Sequence, residues 1–92
     1  MRQETAETIA IQALGWLAGD DALFETFLGG SGISAAEVRA RAAEPEFQAS
    51  VLDFVLMNDD WVIGFCNATG LAYEAPGQAR MALPGGAQVH WT

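Results

Sequence analysis

The sequence predicts an all-α protein: a compact bundle of five to six short helices built from two similar halves, with an extended C-terminal tail. Three observations predict it. Apolar residues recur at helical spacing. Capping residues and glycines punctuate them at short intervals, which favours an all-α bundle of neighbouring helices. And the segment "DDALFETFLGGSGI", from Asp20 to Ile33, returns in altered wording as "DDWVIGFCNATGL", from Asp59 to Leu71.

Aligning Phe27 with Phe65, an offset of 38 residues, places Leu14 with Leu52, Trp16 with Phe54 and Leu23 with Trp61. It also sets Asp20-Asp21 against Asn58-Asp59 and Ser31-Gly32-Ile33 against Thr69-Gly70-Leu71. After one inserted residue Ala40-Arg41-Ala42 meets Ala79-Arg80-Met81, and Pro45 meets Pro84. Such self-similarity is the mark of a helical unit written twice. Two copies fall short of a solenoid, so a closed bundle is expected.

The first helix is expected from about Gln3 to Ala18, with Ile9, Ala10, Ala13, Leu14, Trp16 and Leu17 forming its apolar side. Asp20 or Asp21 caps the second, because a carboxylate there accepts from free backbone N–H groups and opposes the helix dipole. Gly29-Gly30 and Gly32 are expected to stop it. Ser34 caps the third, "AAEVRARAA", and Glu37 three residues on completes a capping box. Pro45 suits the first turn of the fourth, "EFQASVLDFVLM", whose near-continuous apolar character marks it as the central helix. Asn58 or Asp59 caps the fifth, with Trp61, Val62, Phe65 and Cys66 facing inward and Gly70 as its stop. A sixth runs from about Ala75 to Leu83, and Pro84 with Gly85-Gly86 ends it. The expected core is Leu14, Trp16, Phe27, Leu52, Phe54, Trp61 and Phe65.

A chain of 92 residues with 51% hydrophobic and 17% charged residues suits one folded domain, here residues 1–86, with halves at about 3–44 and 45–84. Residues 87–92 form the tail, where Trp91 either packs on its own domain or anchors a partner. No apolar run approaches the ~18 residues of a membrane span, and "MRQETAETIA" lacks a signal-peptide core. The single cysteine, Cys66, excludes an internal disulfide. A cytoplasmic protein is the expectation.

Twelve acidic residues stand against four arginines and no lysine, a formal net charge of −8. Nucleic acid and anionic membrane are excluded as partners, because there are too few cations to neutralise phosphates. A basic or amphipathic segment of another cytosolic protein is favoured.

The candidate chemistry is thin. Adjacent aspartates do not converge on a metal, and the alternating ligands of a calcium loop are missing. His90 is the only histidine and lies in the tail, so no catalytic triad, metal site or cofactor is expected. Cys66 sits in an apolar stripe and reads as a small buried hydrophobe. Arg39, Arg41 and Arg80 are the candidate anion or partner contacts, since the planar guanidinium suits carboxylates and phosphates.

The segments "ALGWLAGDDALFETFLGGSGIS", "VRARAAEPEFQASVLDFVLMND" and "ARMALPGG" resemble a small alphaproteobacterial family known as domain of unknown function 3572. The resemblance spans nearly the whole chain. It implies a small all-helical protein and brings no activity or functional residues with it. One departure is "GLAYEAPGQAR", where Ala72-Tyr73 stands at the expected cap of the last helix.

The favoured reading is a non-catalytic protein-interaction or regulatory module. An alternative is a small-ligand binder or accessory enzyme subunit, with a pocket between the halves lined by Trp16, Trp61 and Arg41 or Arg80. A second alternative is a structural homodimer joined through an apolar helix face.

Overall fold

In the computed structural model, which describes residues 1–84, six helices follow one another. They are α1 (Gln3–Ala18), α2 (Asp21–Ser31), α3 (Ala35–Arg41), α4 (Pro45–Leu56), α5 (Asp59–Thr69) and α6 (Ala75–Met81). The described residues contain no strand. The predicted all-α bundle is the fold. The tail, including His90 and Trp91, and the expected stop at Gly85-Gly86 lie outside the described residues.

Local chemistry accounts for most of the boundaries. The Asp20 carboxylate accepts from the Leu23 N–H at 3.1 Å, and Asn58 accepts from the Asp60 N–H at 2.8 Å. Both cap residues are extended, so their side chains fold back over the first turn. Asp21 and Asp59 are therefore first-turn residues rather than caps: they complement the helix dipole and close no cap hydrogen bond. The Ser34 hydroxyl accepts from Glu37 N–H while the Glu37 carboxylate accepts from Ser34 N–H, so the expected box is complete. Pro45 occupies the first turn of α4. Gly32 and Gly70 end α2 and α5 in the left-handed conformation at φ 73° and 74°, where a side chain is disfavoured. Gly29 and Gly30, by contrast, do not stop α2. The helix continues through them because packing of Phe27 and Leu28 outweighs the ~1 kcal/mol propensity penalty of each glycine. Helix α6 starts at Ala75, with Glu74 at its N-cap position in helical dihedrals and making no side-chain cap; Ala72-Tyr73, expected at the cap, lie outside it.

Several local features coincide at the 38-residue offset. Both α2 and α5 have 11 residues. The Ser31 hydroxyl donates to Phe27 O at 2.8 Å, and the Thr69 hydroxyl donates to Phe65 O at 2.8 Å. The ring pair Phe27–Phe54, 5.3 Å between centroids, has its counterpart in Phe65–Trp16 at 6.0 Å. Each half thus drives the aromatic of its second helix against the first helix of the other half.

The centre of the bundle is shared by α1 and α4. Helix α1 packs on α2, α4, α5 and α6, and α4 packs on α1, α5 and α6. The expectation of α4 alone at the centre is thus corrected. The reason lies in the α1 stripe Ala6, Ile9, Ala10, Ala13 and Leu17, whose three alanines let several helices approach closely. Phe27, Leu52, Phe54 and Phe65 are buried as expected. Leu14, Trp16 and Trp61 are only partly buried against that core. Long side chains at the rim of so small a bundle keep one edge in water.

Candidate functional site

The departures from symmetry between the halves shape the surface. Asp53 is the one charge in the apolar run of α4, and its carboxylate meets the Arg80 guanidinium of α6 at 2.6 Å. Both side chains are nearly buried, 13% and 5% exposed. The pair draws α6 onto α4, and Ala75, Pro76, Ala79 and Leu83 are buried with it. At the 38-residue offset Gly15 stands opposite Asp53, and after the one inserted residue Arg41 is the counterpart of Arg80. Arg41 finds no carboxylate on α1 and pairs instead with Glu44 at 3.4 Å, exposed to solvent. Helix α3 is absent from the principal helix–helix packings, and Val38 is its single buried residue.

Three features follow. The first is a cleft of about 330 Å³ where the C-terminal end of α1 meets the N-terminal ends of α2 and α5, lined by Trp16, Trp61, Asp20, Asp60, Leu23 and Thr26. Trp16 tilts against Phe65 and Trp61 stacks on Phe54 at 4.7 Å, so both indoles are held from behind. A Cβ at Gly64 would stand 3.1 Å from the Trp16 ring, so the glycine leaves the indole its room. Asp20 spends one oxygen on its cap, while Asp21, Asp59 and Asp60 are exposed in first turns. Each helix N-terminus carries roughly half a positive charge, too little to offset the two lining carboxylates, Asp20 and Asp60. The cleft is aromatic and net negative.

The second is an apolar groove of about 420 Å³ between α1 and α3, roofed by Phe24 and carrying Arg39 at its lip. The third is a smaller cleft, about 270 Å³, beside Cys66, Leu71 and Tyr73. There the buried thiol lies 3.5 Å from Ala72 O as its donor, and burial, reinforced by Glu74, pushes it above the ordinary thiol value. That is the opposite of an activated nucleophile.

The three candidate arginines stand in three different settings. Arg39 is at the groove lip, Arg41 is paired on the surface, and Arg80 is buried in its ion pair and so unavailable to an external anion. The Trp16–Trp61 pocket exists between the halves, but carboxylates line it and neither Arg41 nor Arg80 does. Asp53 and the buried Gln48, whose side chain donates to Ala42 O at 3.0 Å, were not anticipated. The isolated charge in "FQASVLDFVLM" was the available signal. Among the described residues no three His, Cys, Asp or Glu side chains converge as metal ligands, and no helix is long and apolar enough to cross a membrane.

Fold and surface define a small all-α protein, with six helices among the described residues, an acidic aromatic cleft and an apolar groove. Its family is that of the model described as "Protein of unknown function (DUF3572)", which matches residues 3–86; the chain belongs to that family. No curated protein and no solved structure matches it.

Proposed function

We propose that the chain is a non-catalytic interaction module that binds a basic segment of a cytoplasmic protein partner. The observation that carries this reading is the cleft in which Trp16 and Trp61 stand beside Asp20 and Asp60. A lysine or arginine side chain entering it meets indole surface, worth roughly 0.5–2 kcal/mol as a cation–π contact depending on desolvation. The carboxylates and the overall charge of −8 add attraction and faster encounter. The likeness of the halves supports reading them as one helical unit used twice, with the cleft at their junction.

The test is a titration of oligolysine into isotopically labelled protein, following the indole N–H signals of Trp16 and Trp61. Both should shift saturably, and raised salt should weaken the binding. Asp20→Asn combined with Asp60→Asn removes two charges while asparagine keeps the α2 cap. That variant should stay folded and bind several-fold more weakly. Unmoved indole signals, or equal affinity in the double variant, would remove the cleft from consideration.

A further inference from the structure

A second surface, separate from the tryptophan cleft, carries its own inference. The α1–α3 groove is open because α3 has no counterpart of the Asp53–Arg80 latch: Gly15 occupies the position of the carboxylate. Its floor is low, since Gly15 and Ala18 have little or no side chain. Ile11, 44% exposed, joins it to a neighbouring cleft of about 400 Å³ that continues along α1 past Glu7 to Glu4. From Glu4 to Ala18 the combined surface extends about 21 Å, the length of a helix of about 14 residues.

The charges along it are ordered. Glu4 and Glu7 line the cleft along the N-terminal half of α1, and Arg39 lines the groove beside its C-terminal half. Arg2 is paired with Glu4, Arg41 with Glu44 and Arg80 with Asp53. Among the described residues Arg39 has no ion-pair partner, although the chain holds twelve carboxylates. Exposed beside an apolar groove and free of any ion pair among the described residues, Arg39 is available to a carboxylate brought from outside. A second copy of this chain is disfavoured as occupant, because it would set one net charge of −8 against another.

We infer that the α1–α3 groove receives one amphipathic helix of a partner protein, with its apolar stripe over Ile11, Gly15 and Ala18, an acidic residue against Arg39 and a basic residue over Glu4 and Glu7. Helix-in-groove recognition needs anchors at i, i+3 or i+4, and i+7 on the incoming helix, and a groove floored by glycine and alanine lets its backbone come close.

Gly15→Leu isolates the groove from the fold. A Cβ at Gly15 meets nothing within 4 Å, and leucine is the better helix former. The variant should therefore melt no lower than wild type while its side chain fills the site. The probe is a fluorescein-labelled helical peptide of about 14 residues with a leucine stripe, two lysines at one end and two glutamates at the other. Fluorescence anisotropy on the full chain should show saturable binding to wild type and none to Gly15→Leu. Arg39→Glu should weaken it several-fold, and a peptide with lysines at both ends should recover the loss. No saturable binding to wild type, or undiminished binding to Gly15→Leu, overturns the inference. So does a dimer in sedimentation that Gly15→Leu dissociates, because the occupant is then a second copy. Asp20→Asn/Asp60→Asn should leave the peptide affinity unchanged; loss confined to that variant would place the peptide in the tryptophan cleft and overturn the groove while upholding the cleft.

Discussion

Replacing Arg80 with methionine should strand a buried carboxylate. Asp53 is 13% exposed, its Oδ1 is held by Arg80 at 2.6 Å, and its Oδ2 has no hydrogen-bond partner among the described residues. Methionine fills most of the arginine's volume, so the loss is one of charge compensation more than of packing. Removing one member of a buried pair costs about 3–5 kcal/mol. A 92-residue domain has a total stability of only about 5–14 kcal/mol. At about 4–8 °C per kcal/mol, Arg80→Met should lower Tm by at least about 12 °C. Pairing it with Asp53→Leu removes the stranded charge and should recover most of that loss, since apolar replacement of a whole buried pair is often near neutral. Far-UV circular dichroism during thermal and urea unfolding reads all three variants. Arg80→Met melting within a few degrees of wild type would refute the latch. A double variant no better than the single would show that the cost was cavity, not charge.

The other predictions follow from equally local features. Phe27 is fully buried and meets the rings of Phe24, Phe47 and Phe54, so Phe27→Ala should cost about 3–5 kcal/mol in urea unfolding. Asp20→Ala should cost about 1 kcal/mol and Asp20→Asn only a few tenths, compared by thermal unfolding, because asparagine still accepts from the Leu23 N–H. Burial raises the Cys66 thiol above its ordinary value of 9.0, so the unfolded chain ionises first as pH rises. The stability this contributes is present below that value and is lost above it; Cys66→Ala should flatten the decline between neutral and strongly alkaline pH. Thiol reagents at neutral pH should leave the native protein unmodified while labelling it in urea.

Much of the fold was legible residue by residue. Ser34 with Glu37, Asn58, Pro45, Gly32 and Gly70 each act within four residues of themselves, so their consequences can be read along the chain. Phe27 and Phe65 declared their burial through periodicity. The site was less legible. Trp16 and Trp61 were expected in the core and stand at its rim, because a helical stripe specifies a face and not how far a neighbour covers it. Arg80 looked like a surface cation, and only a partner 27 residues away makes it internal.

By itself, then, the chain determined its helical elements, most of their caps and stops and its acidic charge, because those depend on neighbouring residues and on composition. Tertiary structure decided the rest: that α6 is latched to α4 while α3 stands off α1, that two tryptophans share a cleft with two carboxylates, and that Arg39 alone faces a groove. These depend on which distant side chains meet, and a change as small as Gly15 in the place of Asp53 leaves local helix signals intact while opening one side of the bundle.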